Sequence, residues 1–201
     1  MFSLEDGIAA LKAGELVVYP TETFYGLGAD PFSADALKLL FAAKARDAER
    51  PVGLIAADTA MAFSIAREIS GAARRLADAF WPGPLTLVLP ARDGIAPELC
   101  GAEGIAVRVS SHPIARALSA GLGKPITATS ANLSGGAPAT TIAEARLAFG
   151  TKVKVYLEGG KLTAIMPSTV VAISRDEVKM IRIGAIAKDQ IAAVLAGEML
   201  K

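Results

Sequence analysis

Tyr19-Pro-Thr-Glu-Thr-Phe-Tyr-Gly-Leu-Gly28 follows directly on an apolar run, Glu15-Leu-Val-Val-Tyr19. The run reads as a buried strand that stops at Pro20, which has no N–H for a ladder. Beyond it stand two hydroxyls and a carboxylate, Thr21, Glu22 and Thr23, and then Gly26 and Gly28. In open α/β sheets, ligands bind beyond the carboxyl ends of strands, so polar chemistry is expected at this junction. A plain connecting loop uses Pro and Gly in the same way. It has little need of Thr-Glu-Thr and Tyr25 as well.

Outward from this stretch, strand-like and helix-like patterns alternate. Ser3 is placed to cap a helix carrying Leu4, Ile8 and Leu11 on one face and ended by Gly14; Ser33 opens a second with Leu37, Leu40, Phe41 and Lys44. Strands are expected over 52–56, 85–89, 105–109, 125–129, 153–157, 169–173 and 178–183. Helices are expected over 58–68, 70–80, 114–120 and 187–196, and after the capping pair Thr141 and Glu144. Trp81-Pro-Gly-Pro84 closes the 70–80 helix. The interleaving predicts an α/β fold, an open, twisted, mixed sheet flanked by helices, with residues 1–201 as one domain.

The chain has 201 residues, 52% hydrophobic and 20% charged, with a formal net charge of +1. That balance gives no whole-protein attraction to nucleic acid or to membranes, although a local basic pocket remains compatible with it. Cys100 is the single cysteine, so neither a disulfide framework nor a cysteine metal cluster is expected, in keeping with a reducing cytoplasm. The sequence shows no membrane span and no basic-then-apolar leader, which predicts a cytoplasmic protein without membrane partners.

Three further groups of residues carry chemistry. Lys44-Ala-Arg-Asp-Ala-Glu-Arg50 offers three cations that suit phosphate oxygens, although cations at a helix end also simply favour its dipole. Thr127-Ala-Thr-Ser130-Ala-Asn132-Leu-Ser134-Gly-Gly136 has the small hydroxyls and glycines of an anion-binding loop, and equally of a surface turn. Arg108 and Arg182 interrupt apolar strands, and such a cation either faces solvent or needs an anionic partner. His112 precedes Pro113 and is placed to cap a helix. No Walker pattern, no extended GxGxxG and no Gly-x-Ser-x-Gly elbow is present, so Ser168 is not read as a nucleophile.

Taken together and in order, these segments resemble the YrdC-like family of threonylcarbamoyl-adenylate synthases. The markers are Pro20-Thr-Glu-Thr-x-Tyr25-Gly-Leu-Gly28, Lys44-x-Arg46, Trp81-Pro-Gly-Pro-Leu-Thr86, Val107-Arg108, Thr129-Ser130-Ala-Asn132-x-Ser134-Gly135, Pro167-Ser-Thr-Val170 and Ile181-Arg182. The resemblance implies a YrdC-like sheet with a concave basic face. It also implies condensation of L-threonine, bicarbonate and ATP to threonylcarbamoyl-AMP with release of pyrophosphate. The product would pass to a tRNA threonylcarbamoyl transferase complex, with weak tRNA binding as a further implication. By the same resemblance, Thr23, His112 and Ser168 surround threonine; Arg46, Arg50, Arg108, Ser130, Asn132 and Arg182 hold ATP; and Lys44 and Arg46 act in catalysis. Mg²⁺ is expected with the ATP phosphates and no protein-only metal site is expected. Glu22 is a candidate to position threonine's ammonium or a metal-bound water.

The chain departs from the family pattern at Ile55, where some members carry histidine, and at Ala172, where Asp is frequent. It is also expected to be a short, stand-alone form, without the linker and second domain of longer relatives. A non-catalytic double-stranded-RNA-binding module on the same fold is the alternative, disfavoured by the near-neutral charge and the aromatic content of 5%. Carbamoyl transfer is a third, disfavoured because related domains of that kind come fused to others.

Overall fold

The computed structural model describes residues 2–45, 51–164, 166–175 and 177–197. The chain begins with α1 (Leu4–Lys12), β1 (Val17–Tyr19), β2 (Gly26–Gly28), α2 (Ala34–Lys44), β3 (Leu54–Ala56), α3 (Thr59–Phe63), α4 (Gly71–Phe80) and β4 (Leu85–Leu89). It continues through β5 (Cys100–Gly101), β6 (Gly104–Val109), α5 (Pro113–Leu122), β7 (Ile126–Thr127) and β8 (Thr129–Ser130). The last elements are α6 (Ile142–Phe149), β9 (Val155–Tyr156), β10 (Thr169–Ser174), β11 (Glu177–Arg182) and α7 (Lys188–Ala196).

The helices start where their caps require. Ser3 accepts from Asp6 N at 3.1 Å while the Asp6 carboxylate accepts from Ser3 N at 2.7 Å, and Thr141 and Glu144 form the same reciprocal pair. The helix expected over 58–68 stops early, at Phe63. Beyond it the backbone turns to pair with the segment after β4, Arg67 N donating to Pro90 O and Arg92 N to Ile65 O. α4 ends at Phe80, and the Trp81 indole N–H donates to Leu85 O at 2.7 Å, which folds the Trp-Pro-Gly-Pro turn back onto β4.

The strands form two mixed sheets. The smaller has the order β8-β2-β1-β9, and the larger β11-β10-β4-β6-β3-β7 with β5 added on β6. Parallel pairs (β1 with β9, β10 with β4, β3 with β6) are mixed with antiparallel ones. The strand expected over 125–129 is divided between the sheets at Ala128, whose N–H donates to Gly53 O at 2.7 Å. Thr127 joins the sheets through its side chain, donating to Leu27 O at 3.0 Å and accepting from Ala29 N at 2.8 Å.

The stretch from Gly26 to Gly28 is a strand and not the loop its glycines indicate. β1 and β2 pair antiparallel, Tyr19 opposite Gly26 and Val17 opposite Gly28, and the Tyr19 ring lies across both glycines. A Cβ at Gly26 would come within 2.9 Å of the ring, and so would one at Gly28. The Tyr19 hydroxyl, fully buried, donates to Thr127 O at 2.7 Å. One aromatic ring thus fixes β1, β2 and β7 together. The larger core cluster fills the space around Leu27, Leu40, Leu76, Leu87 and Val107; a smaller one contains Leu11, Tyr19, Ile55, Leu118 and Ile126.

Gly28→Ala is expected to destabilise the fold by about 1–3 kcal/mol, since an added methyl in a filled space forces strain. Urea unfolding monitored by circular dichroism measures this. An unchanged midpoint would show that the ring yields freely.

Candidate active site

After Pro20 the chain turns on the side chain of Thr21. Its hydroxyl donates to Phe24 O at 2.7 Å and accepts from Thr23 N and Phe24 N at 3.1 and 3.2 Å. Such side-chain-to-backbone bonding replaces a ladder where the strand has ended. The turn puts Thr21 and Thr23 on the wall of a cavity of about 630 Å³, with Ser130 from β8, Arg108 from β6, Ser168 beside β10 and Arg182 from β11 on the other walls. Both sheets therefore contribute to one site.

Among the described residues that line the cavity, Arg108 and Arg182 are the charged ones, and none is a carboxylate. Arg108 is only 8% exposed. Its Nη2 donates to Thr23 Oγ1 at 3.5 Å, and its Nε lies 3.6 Å from Glu22 Oε1 without a hydrogen bond. Arg182 grips Ser168, donating from Nε and Nη2 to Ser168 O at 3.1 and 2.9 Å and from Nη2 to Ser168 Oγ at 3.1 Å. Ser168 Oγ is in turn 2.9 Å from Thr86 Oγ1. Partial burial, and then the like charge of Arg108, lower the pKa of Arg182. Two guanidiniums of like charge on a wall with no described carboxylate are suited to holding an anion.

Of the residues singled out from the sequence, Thr23, Arg108, Ser130, Ser168 and Arg182 meet at this cavity. Arg46 and Arg50 lie outside the described residues. Lys44 and Asn132 lie behind the wall and do not line it. Lys44 is 2% exposed, and its ammonium donates to Ser130 O at 2.6 Å and Asn132 O at 2.8 Å. Asn132 accepts from Ser130 Oγ and donates to Leu133 O and Gly136 O at 2.8 and 2.7 Å. Both residues hold the shape of the Ser130 loop.

His112 is also off the cavity lining. It caps α5, with Nδ1 accepting from Ile114 N at 3.3 Å and its own N–H donating to Ser110 Oγ at 3.1 Å. Burial pulls its pKa down, Glu22 draws it up and Arg116 pushes it down again, for a net lowering. Glu22, read from the sequence as a group facing the ligand, is turned away from the cavity. Its carboxylate accepts from the Ser110 hydroxyl and faces Arg108. The two departures from the family pattern are likewise off the cavity lining: Ile55 is fully buried in the smaller core cluster, and Ala172 is buried within β10 between β4 and β11.

Sequence reasoning passed over Thr86 as a site residue. The signal was there, a single hydroxyl in the otherwise apolar strand Leu85-Thr-Leu-Val-Leu89, every residue of which is buried. Among the described residues, no group of three or more His, Cys, Asp or Glu side chains could hold a metal ion. No helix there is long and apolar enough to cross a membrane.

Residues 9–184 match the family model described as Sua5/YciO/YrdC, telomere recombination. The chain is 42% identical over 173 residues to the threonylcarbamoyl-AMP synthase of Methylococcus capsulatus, covering 84% of this chain and 91% of that protein. It is 36% identical over 189 residues to the threonylcarbamoyl-AMP synthase of Bacillus subtilis, covering 93% of this chain and 55% of that one. Among solved structures, Pyrococcus abyssi Sua5 complexed with L-threonine superposes with a TM-score of 0.90 at 33% identity, over 97% of this chain and 58% of that one. The chain thus spans nearly all of one relative and little more than half of two others. The motif order, the two-sheet topology and a family match over most of the length agree, and the chain belongs to the Sua5/YciO/YrdC family.

Proposed function

We propose that this chain is a threonylcarbamoyl-AMP synthase, with residues 1–201 acting as one YrdC-like domain. The observation that carries the reading is the pair of guanidiniums, Arg108 and Arg182, converging on a cavity that no described carboxylate lines. All three substrates bring negative charge to be held there: the carboxylate of L-threonine, bicarbonate, and the triphosphate of ATP. The volume of about 630 Å³ is of the size that takes small molecules and is far from an RNA groove.

In the reaction, threonine's amine and bicarbonate give N-carboxy-threonine with loss of water. The carbamate oxygen then attacks the α-phosphorus of ATP, the new P–O bond forming as the bond to pyrophosphate breaks. Charge spreads over phosphoryl oxygens, so the protein's contribution is positioning and electrostatic stabilisation without a covalent intermediate. Thr23 and Ser168 each touch one arginine, which supports adjoining threonine and phosphate subsites. In this reading His112 completes the threonine side, Ser130 together with Arg46 and Arg50 completes the ATP side, and Lys44 and Asn132 position Ser130. Mg²⁺ would enter as part of the MgATP substrate and supply charge neutralisation at the phosphates; among the described residues no carboxylate lines the cavity to hold it. The product is a mixed anhydride and needs an acceptor, which the family assigns to a tRNA threonylcarbamoyl transferase complex. A cytoplasmic setting, where ATP and tRNA occur, accords with the single Cys100.

Pyrophosphate is expected only when ATP, L-threonine and bicarbonate are all supplied, with threonylcarbamoyl-AMP detected by mass spectrometry. Pyrophosphate formed without threonine or without bicarbonate would contradict the assignment. Arg108→Ala is expected to lower kcat/KM by about 3–4 kcal/mol, roughly 10²–10³-fold, as for loss of one well-placed donor. Turnover within a factor of about two of the parent would remove Arg108 from the site. Lys44→Met is expected to cost both activity and about 1.5–3 kcal/mol of stability, because the Ser130 and Asn132 carbonyls lose a charged donor. Full activity with only a lower unfolding midpoint would leave Lys44 purely structural.

A further inference from the structure

Behind the cavity wall, Glu22 and Arg108 form an ion pair whose side chains are 13% and 9% exposed. A charge so withdrawn from water needs compensation, and a guanidinium has several rotamers in which to seek it. Glu22 supplies the compensation from one side. Its Oε2 is anchored by the Ser110 hydroxyl, which itself accepts from His112 N at the start of α5, so the carboxylate is tied to a rigid helix end. Its Oε1 stands 3.6 Å from Arg108 Nε, the inner edge of the guanidinium. The outer edge, through Nη2, reaches Thr23 on the cavity wall. Among the described residues, Thr23 and Glu22 are the ones that hydrogen-bond or ion-pair with the Arg108 side chain.

We propose that Glu22 is a positioning residue that holds the Arg108 guanidinium from behind so that its outer nitrogens face the substrate anion. The inference rests on the synthase reading for its kinetic test, but not for its binding test. Glu22 is not among the residues lining the cavity, so an orienting effect on a ligand acts through Arg108. A carboxylate in this place has two opposed consequences. By orienting Arg108 it favours an anionic ligand, and by its charge it weakens the local positive field. A positioning role requires that orientation win, which fixes the sign of the experiment.

Glu22→Gln keeps the side-chain length and an acceptor for Ser110, and removes the charge that holds Arg108. The test measures kcat/KM for threonylcarbamoyl-AMP formation, and the affinity for inorganic pyrophosphate by calorimetry, in E22Q, R108A and the double variant. E22Q is expected to lower both quantities by roughly 10- to 100-fold when Arg108 is present and by less than about twofold when it is absent. An equal loss in both backgrounds, no loss, or tighter pyrophosphate binding would each overturn the inference. Should E22Q fail to fold, Ser110→Ala releases the same carboxylate from its other anchor and is expected to show a smaller loss with the same dependence on Arg108. A lower unfolding midpoint without that dependence would contradict positioning. If the parent chain makes no threonylcarbamoyl-AMP, the synthase reading fails by itself, and the pyrophosphate affinities still decide the role of Glu22.

Discussion

The burial of one guanidinium governs the rest of the site. Arg108 sits one residue from the C-terminal end of β6, nine-tenths removed from water, with the Glu22 carboxylate behind it and a second arginine on the same cavity. Desolvating such a charge is unfavourable unless a counter-charge and hydrogen bonds compensate it, and the protein provides only part of both. In the proposed function, the remainder falls to a substrate anion. A fold that keeps this arrangement holds a strongly favourable position for phosphate or carboxylate oxygens at the cost of some stability of its own, a trade that suits catalysis by charge stabilisation.

What permits the arrangement is the way distant segments are fastened at close quarters. The Tyr19 ring crosses two glycines and bonds Thr127, more than a hundred residues away in sequence, so the Thr21–Thr23 turn and the Ser130 loop face each other. Lys44 sits under that loop and satisfies two of its carbonyls. Thr169 fixes the return from β11, accepting from Gly184 N and Ile186 N at 3.0 Å each and donating to Ile186 O at 2.7 Å, which keeps Arg182 at its place over Ser168. None of these groups needs to touch substrate. Each removes a freedom that a binding event would otherwise have to freeze.

The legible parts of this fold were those written in local rules. Ser3, Ser33, Thr141 and Pro113 marked helix starts because capping is a contact within one turn, and Leu85–Leu89 was a strand by its apolar run alone. Gly26–Gly28 was not legible as a strand, since its glycines serve a ring on the neighbouring strand and local propensity argues against them. The division at Ala128 and the early stop at Phe63 have the same origin, backbone bonds to segments far along the chain. At the site, residue types and motif order singled out Thr23, Arg108, Ser130, Ser168 and Arg182, and all five line one cavity. The direction of Glu22 was beyond reach, because its partner Ser110 lies 88 residues onward and pulls it off the cavity.

The most direct measurement is a crystal structure of the chain with threonylcarbamoyl-AMP bound. The account predicts that the ligand's carboxylate and phosphoryl oxygens lie within hydrogen-bonding distance of the Arg108 and Arg182 guanidiniums, with Thr23 and Ser168 beside them. A ligand whose anionic groups sit elsewhere, leaving both arginines bonded only to protein, would contradict it.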